Sequence, residues 1–265
     1  MGRLRPLALA LLAFAGRARA GETGFLDRTV AVRGGEPRRY QVYVPANRPA
    51  GPLPVILFLH GAGERGSDGL LQTAVGLGAF LRRDAARFPA IVVFPQVPQG
   101  QAWDGDSAEA AMEALRRTQA EFRTDPDRVY LTGMSMGGRG SWYLAHRHPG
   151  VFAAVAPVCG WVTELPFRPY LQPVVPKEAG DPLKALAKGL GRTPVWIFHG
   201  EMDDVVPVEG SREPARVLKE LGCDVRYSEL PGVGHNAWDP AYGSKAFTDW
   251  LFAQRRPAPQ GVSAR

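Results

Sequence analysis

The chain has 265 residues, of which 45% are hydrophobic and 22% charged, the balance of an ordinary globular protein long enough to bury a sizeable core. Its formal charge is +6, but four arginines, at positions 3, 5, 17 and 19, lie in the first twenty residues. Without them 28 basic residues face 26 acidic ones, a charge of +2, which is too small and too scattered to indicate nucleic acid or an anionic membrane as a partner.

That N-terminal segment has its own logic. Arg3 and Arg5 precede the apolar run from Leu7 to Ala15, and Ala18-Arg19-Ala20 fits a small-x-small cleavage site. The pattern predicts a signal peptide over residues 1–20 and a mature start near Gly21. A membrane anchor needs about twenty apolar residues, and a lipid-attached form would want a cysteine near the cleavage site. The expectation is therefore a secreted or periplasmic protein without a stable membrane anchor. No internal repeat is present, and Pro257 to Arg265 reads as a flexible tail.

Beyond the leader, apolar runs alternate with helical patterns, which predicts βαβ units and a mostly parallel sheet. Arg28 to Arg33 and Arg38 to Val44 read as an antiparallel hairpin around Gly34-Gly35. Val55 to Leu59 and Ile91 to Phe94 are continuous apolar strands of the kind buried on both faces. Helices are expected over Leu70 to Arg83 and Ser107 to Arg123, the second with Ala108, Ala111, Met112, Leu115 and Phe122 on its apolar face. Asp125-Pro126-Asp127 reads as a turn into the strand Val129 to Leu131. Then come a helix over Arg139 to Arg147, strands over Ala153–Val158 and Val195–Phe198, a helix over Glu209 to Leu221, the strand Asp224–Leu230, and a last helix over Ser244 to Ala253. The connection 161–193 is long and holds prolines 166, 169, 173, 176 and 182; a segment of this kind covers a site, belongs to a cap or packs on the surface. Cys159 and Cys223 fall at opposite ends of parallel strands, too far apart for a disulfide, so two unpaired, largely buried thiols are expected.

Gly133-Met134-Ser135-Met136-Gly137-Gly138 matches Gly-x-Ser-x-Gly between that strand and that helix. Its glycines allow a turn tight enough to lift the Ser135 hydroxyl clear of the sheet. A serine hydroxyl needs a base, and the base an orienting acid; in strand–turn–helix hydrolases they follow in the order serine, acid, histidine. Asp203 lies just past the strand ending at Phe198, with Asp204 as its nearest rival and Glu201 and Asp239 as weaker ones. His235, on a glycine-rich loop after the next strand, is the candidate base. His60 and His199 begin His-Gly turns and organise loops, whereas His146 and His148 suit a helix C-terminus. Donors for a developing oxyanion are expected from the amides of Met136 and Ala62. The loop His60 to Gly66 lacks the Gly-Lys-Ser/Thr ending of a phosphate cradle. No His, Cys or carboxylate group has metal-ligand spacing in the sequence.

With these residues the chain resembles an α/β-hydrolase, and more closely the secreted bacterial esterases grouped with polyhydroxyalkanoate depolymerases, feruloyl esterases and the phospholipase/carboxylesterase type. The resemblance runs from about Arg38 to Phe252. It rests on Leu59-His-Gly-Ala-Gly-Glu-Arg-Gly66, the elbow, His199-Gly-x-x-Asp203-x-x-Val206-Pro207 and Gly234-His235. It implies one α/β-hydrolase domain over residues 21–256, with helices on both faces of a mostly parallel sheet. Residue by residue, it implies Ser135, Asp203 and His235 as a triad, with the Ala62 and Met136 amides as the oxyanion hole. It further implies a carboxylesterase acting on small-molecule or polymer-fragment esters, and without metal-ligand spacing no cofactor is expected. Trp103, Trp161 and Trp238, with Phe167 and Tyr170, are candidates for an aromatic substrate wall. Two other readings are a serine peptidase and an exported binding protein with a dead site.

Overall fold

The computed structural model describes residues 22–32, 35–163 and 171–256; the expected signal segment, the tail, Phe167 and Tyr170 lie outside them. A single eight-stranded sheet runs in the order β1-β2-β4-β3-β5-β6-β7-β8. The hairpin of β1, Gly24–Val30, and β2, Arg38–Val44, is antiparallel, and β2 pairs antiparallel with β4, Ile91–Pro95. The rest is parallel: β3, Leu53–Leu59, lies between β4 and β5, Thr124–Met134, followed by β6, Ala154–Val158, β7, Val195–Gly200, and β8, Val225–Leu230. All carboxyl ends of the parallel strands therefore face one edge, where ligands bind in open α/β sheets.

The central strands are apolar throughout because both their faces are covered. Val55, Leu57 and Leu59 point into one core, with α2, Gly105–Glu121, α3, Met136–Arg147, α4, Pro182–Leu190, and α5, Glu209–Glu220. Ile56 and Phe58 point into the other, with α1, Leu77–Arg83, α6, Trp238–Gly243, and α7, Lys245–Ala253. The apolar face expected for α2 is buried as read.

Several elements differ from the sequence reading, each for a local reason. The helix expected over 70–83 is split: a 3-10 turn, Leu71–Thr73, is followed by Gly76 at φ +64°, and only then by α1. A Cβ at Gly76 would stand 2.8 Å from Met134 Sδ, so the chain crosses the sheet edge here where only glycine fits. Residues 125–128 do not form a separate turn but bulge within β5, whose pairing with β3 jumps from Leu53↔Thr124 to Val55↔Val129. The connection 161–193 is not wholly an excursion, since α4 is the crossover helix between β6 and β7. Asp181 caps it, accepting from the amides of Leu183 and Lys184 at 2.9 and 3.0 Å, with Pro182 in its first turn. Its Leu183, Leu186 and Leu190 are buried in the core shared with α3 and α5. Both cysteines are unpaired, but only Cys159 is fully buried; Cys223, just before the edge strand β8, is partly exposed.

Candidate active site

Ser135 occupies the turn between β5 and α3 with φ 54° and ψ −117°, a conformation that non-glycine residues adopt only under constraint. The constraint is tight packing on every side. A Cβ at Gly137 would lie 1.9 Å from the carbonyl oxygen of Leu59, and one at Gly133 would lie 2.4 Å from that of Gly137. The Ser135 amide donates to Val158 O at 2.9 Å, tying the turn to β6. The hydroxyl is thereby held at the carboxyl edge.

The loops after β7 and β8 come together beside it. Met202 N donates to Val233 O at 2.9 Å, and Gly200 packs so closely on Gly234 that a Cβ would meet its carbonyl oxygen at 2.2 Å. This brings His235 between Ser135 and Asp203. His235 Nε2 is 2.9 Å from Ser135 Oγ, and His235 Nδ1 is 2.7 Å from Asp203 Oδ2. A carboxylate only accepts, so Nδ1 carries the proton and Nε2 is free to accept from the serine hydroxyl.

Of the two adjacent acids it is Asp203 that meets His235, and every bonding position of its carboxylate is used. Oδ1 accepts the amides of Val205 and Val206, each at 2.9 Å, and its side chain is fully buried. Oδ2 meets a second imidazole as well, with His199 Nε2 at 3.1 Å. Burial pushes this carboxyl up, but the bonds from His199, His235, Val206 and Val205 outweigh it and hold it well below the usual carboxylate range. Asp204 is exposed at the loop surface. His199 thus organises its loop, as read from the sequence, and also touches the acid. Its Nε2 faces Val206 O at 3.0 Å too, and its Nδ1 lies 2.7 Å from Ser211 Oγ. The four-residue spacing in His199-Gly-x-x-Asp203 was the available signal for that contact.

The two expected oxyanion donors head helical turns: Ala62 begins the 3-10 turn Ala62–Glu64, and Met136 begins α3. Amides in a first turn have no partner within their own helix and favour negative charge. His60 anchors the Ala62 loop from beneath. Its Nε2 accepts Val97 N at 3.0 Å, its Nδ1 faces Gly61 O at 2.6 Å, and burial lowers it to about 4, so it is neutral.

The aromatic candidates separate. Trp103 is 1% exposed, donates from Nε1 to His60 O at 2.8 Å and packs under Gly140 of α3, so it braces the loop and offers no face to a ligand. Trp161, 3% exposed, is packed against Gly210 and is likewise no wall. Trp238 is partly exposed, with its ring edge-on to His235 at 5.3 Å between centroids. The tertiary structure also assembles a group that sequence spacing did not show: Cys159 Sγ with ligand atoms of Asp203 and His235, all within 4.8 Å. Burial pushes the Cys159 thiol far up, so it is a neutral sulfur packed under the Asp203–His235 pair.

A mostly parallel sheet with helices on both faces and a strained serine at a strand–helix elbow define the α/β-hydrolase class. Residues 32–208 match the model of the Esterase family, described as "Putative esterase", and the chain belongs to that family. Among solved structures, it resembles a thermostable esterase at 31% identity and a TM-score of 0.72, covering 88% of this chain and 63% of that one. It is 30% identical over 199 residues to an uncharacterized secreted protein of Arthroderma benhamiae, across 69% of this chain and 21% of that protein. It is 32% identical over 112 residues to acyl-protein thioesterase 1 of Gibberella zeae, across 42% of this chain and 43% of that protein. The chain thus spans less than half the length of either of these two relatives.

Proposed function

We propose that the protein is a metal-independent serine carboxylesterase in which Ser135 is the nucleophile, His235 the general base and Asp203 its orienting acid. The continuous contact Ser135 Oγ–His235 Nε2, 2.9 Å, and His235 Nδ1–Asp203 Oδ2, 2.7 Å, carries this reading. Ser135 Oγ attacks the ester carbonyl carbon as its proton passes to His235 Nε2. The carbonyl oxygen becomes an oxyanion held by the Ala62 and Met136 amides. Collapse breaks the bond to the alcohol, which takes the proton back from His235, and leaves an acyl group on Ser135. Water, giving a proton to the same nitrogen, then attacks the acyl carbon; the acid leaves and Ser135 recovers its hydrogen. Asp203 stays ionised and stabilises the imidazolium formed in both halves.

Short acyl or feruloyl esters, free or on polysaccharide or polymer fragments, are the substrates this reading favours. Export through cleavage near Gly21 fits the N-terminal sequence and the secreted Arthroderma relative; no described helix is long and apolar enough to cross a membrane. The deciding experiment is labelling of the mature protein with a fluorophosphonate, alongside a panel of nitrophenyl and feruloyl esters. Labelling confined to Ser135 with turnover of at least one ester supports the proposal. An unlabelled, inert protein refutes it.

A further inference from the structure

The loop that carries Ala62 also carries a cation with little to hold. The main chain around Arg65 is fixed: its carbonyl accepts Gln99 Nε2 at 2.9 Å, and the next amide, of Gly66, donates to Val97 O at 2.9 Å. Its guanidinium reaches across to the elbow, where Nη2 lies 2.9 Å from the Sδ of Met136, the residue directly after Ser135. A thioether is a weak acceptor. The Arg65 Nε is buried and has no hydrogen-bond partner among the described residues. No carboxylate there forms an ion pair with Arg65 either. Its neighbour Glu64 forms no ion pair with it among the described residues. Glu64 turns toward Gly61 instead, where a Cβ would come within 3.0 Å of its Oε2; burial raises that carboxyl above its ordinary range, against backbone contacts at Gly61 and Glu64 that lower it. A guanidinium beside the side chain that follows Ser135, with a donor lacking a hydrogen-bond partner and no ion pair among the described residues, fits an anion that arrives with the substrate.

We infer that Arg65 is a specificity-determining residue that receives a carboxylate carried by the ester substrate close to the scissile bond. The inference rests on Ser135 being the ester nucleophile, and it narrows the substrate class to esters with an acidic group on their acyl or alcohol part. A planar guanidinium suits this task because its paired N–H groups match the two oxygens of a carboxylate, which a lysine ammonium would not. Arg65 is only partly buried, so the contact is made at the rim of the site, where salt still weakens it.

Two pairs of esters separate the two positions of the charge. For the acyl side, 4-nitrophenyl hydrogen glutarate is compared with 4-nitrophenyl hexanoate. For the alcohol side, 4-carboxyphenyl acetate is compared with phenyl acetate. The readout is the ratio of kcat/KM for the charged ester to that for its neutral partner, measured for the wild-type protein and for Arg65→Met, which preserves the side-chain length over Met136. The expected result is a ratio at least tenfold lower in Arg65→Met for one of the pairs, with the difference in KM and partial rescue in Arg65→Lys. In the wild-type protein alone, raising the ionic strength should shrink the same ratio, so the test survives a variant that fails to fold. The same ratio in wild type and Arg65→Met for both pairs, or a wild-type ratio indifferent to salt, overturns the inference while leaving the esterase reading intact. A wild-type protein that neither turns over the neutral esters nor takes a fluorophosphonate overturns both.

Discussion

His199 and His235 share one oxygen of Asp203: Nε2 of the first lies 3.1 Å and Nδ1 of the second 2.7 Å from Oδ2. Asp203 is thus gripped from two sides, by a histidine facing Ser135 and by one buried at the end of β7 itself. With the amides of Val205 and Val206 on Oδ1, its carboxylate has no freedom to turn away from His235.

The two ring nitrogens of His199 can be tested separately with its amide isosteres. His199→Gln keeps a donor near Asp203 and Val206 O, whereas His199→Asn keeps only the group facing Ser211. Losing a hydrogen bond to a charged partner is worth roughly 1.5–3 kcal/mol, or about 10- to 100-fold in rate. His199→Asn should therefore lose about that much in kcat with little change in KM, and His199→Gln should lose clearly less. Steady-state kinetics on one nitrophenyl ester would show it; equal losses in both variants would assign His199 to loop folding alone.

Neighbouring acids give a sharper contrast. Asp203→Asn should lower kcat by about 10^4-fold, since the amide favours the wrong imidazole tautomer, while the exposed Asp204→Asn should leave it within about twofold. Reversal of that order would move the acid by one position.

Ser135→Ala should abolish fluorophosphonate labelling and reduce kcat by on the order of 10^6-fold. Circular dichroism should show the folded state retained, because the turn is held by backbone packing rather than by the hydroxyl.

Gly137→Ala tests the elbow itself. Its new methyl would sit 1.9 Å from the Leu59 carbonyl oxygen, a backbone atom that cannot rotate aside. A loss of at least about 2 kcal/mol in chemical denaturation is expected, together with lost activity, and an unchanged midpoint would contradict the packing described.

His60 makes stability depend on pH. Its folded-state value is lowered from 6.5 to about 4 by burial, so the unfolded chain binds the proton first. The stability from this group is complete above about pH 6.5, falls as the pH drops toward 4, and changes no further below that. A shift of this size is worth roughly 3 kcal/mol. Denaturation of the wild-type protein at several pH values, with a titration of the His60 ring by NMR, would test this; a ring protonating near 6.5 would rule it out.

The legible parts of the molecule are those in which a short stretch of chain dictates its own geometry. The Ser135 elbow needs two glycines in five residues and a strand before it, and all three are written side by side. The buried strands β3 and β4 announce themselves by apolar residues at every position, because both faces are covered. Helix boundaries are not legible where a tertiary contact interrupts a local preference, as at Gly76. The six residues of α6, holding a proline and ending in glycine, gave no periodic signal. Trp103 and Trp161 could not be sorted from Trp238, because an aromatic residue reads the same whether it braces a loop or borders a site.

The sequence by itself determined the alternation of strand and helix, the strained serine and the supply of an acid and a histidine after later strands. Only the tertiary structure buried Asp203 against His235 while leaving Asp204 exposed, put His199 on the same carboxylate and left Arg65 beside Met136. Local pattern tells a residue which face to bury, but not what it will meet there. Partners separated by 32 and 100 residues meet because β5, β6, β7 and β8 lie in that order and their loops fold over one edge, a consequence of how the whole sheet packs.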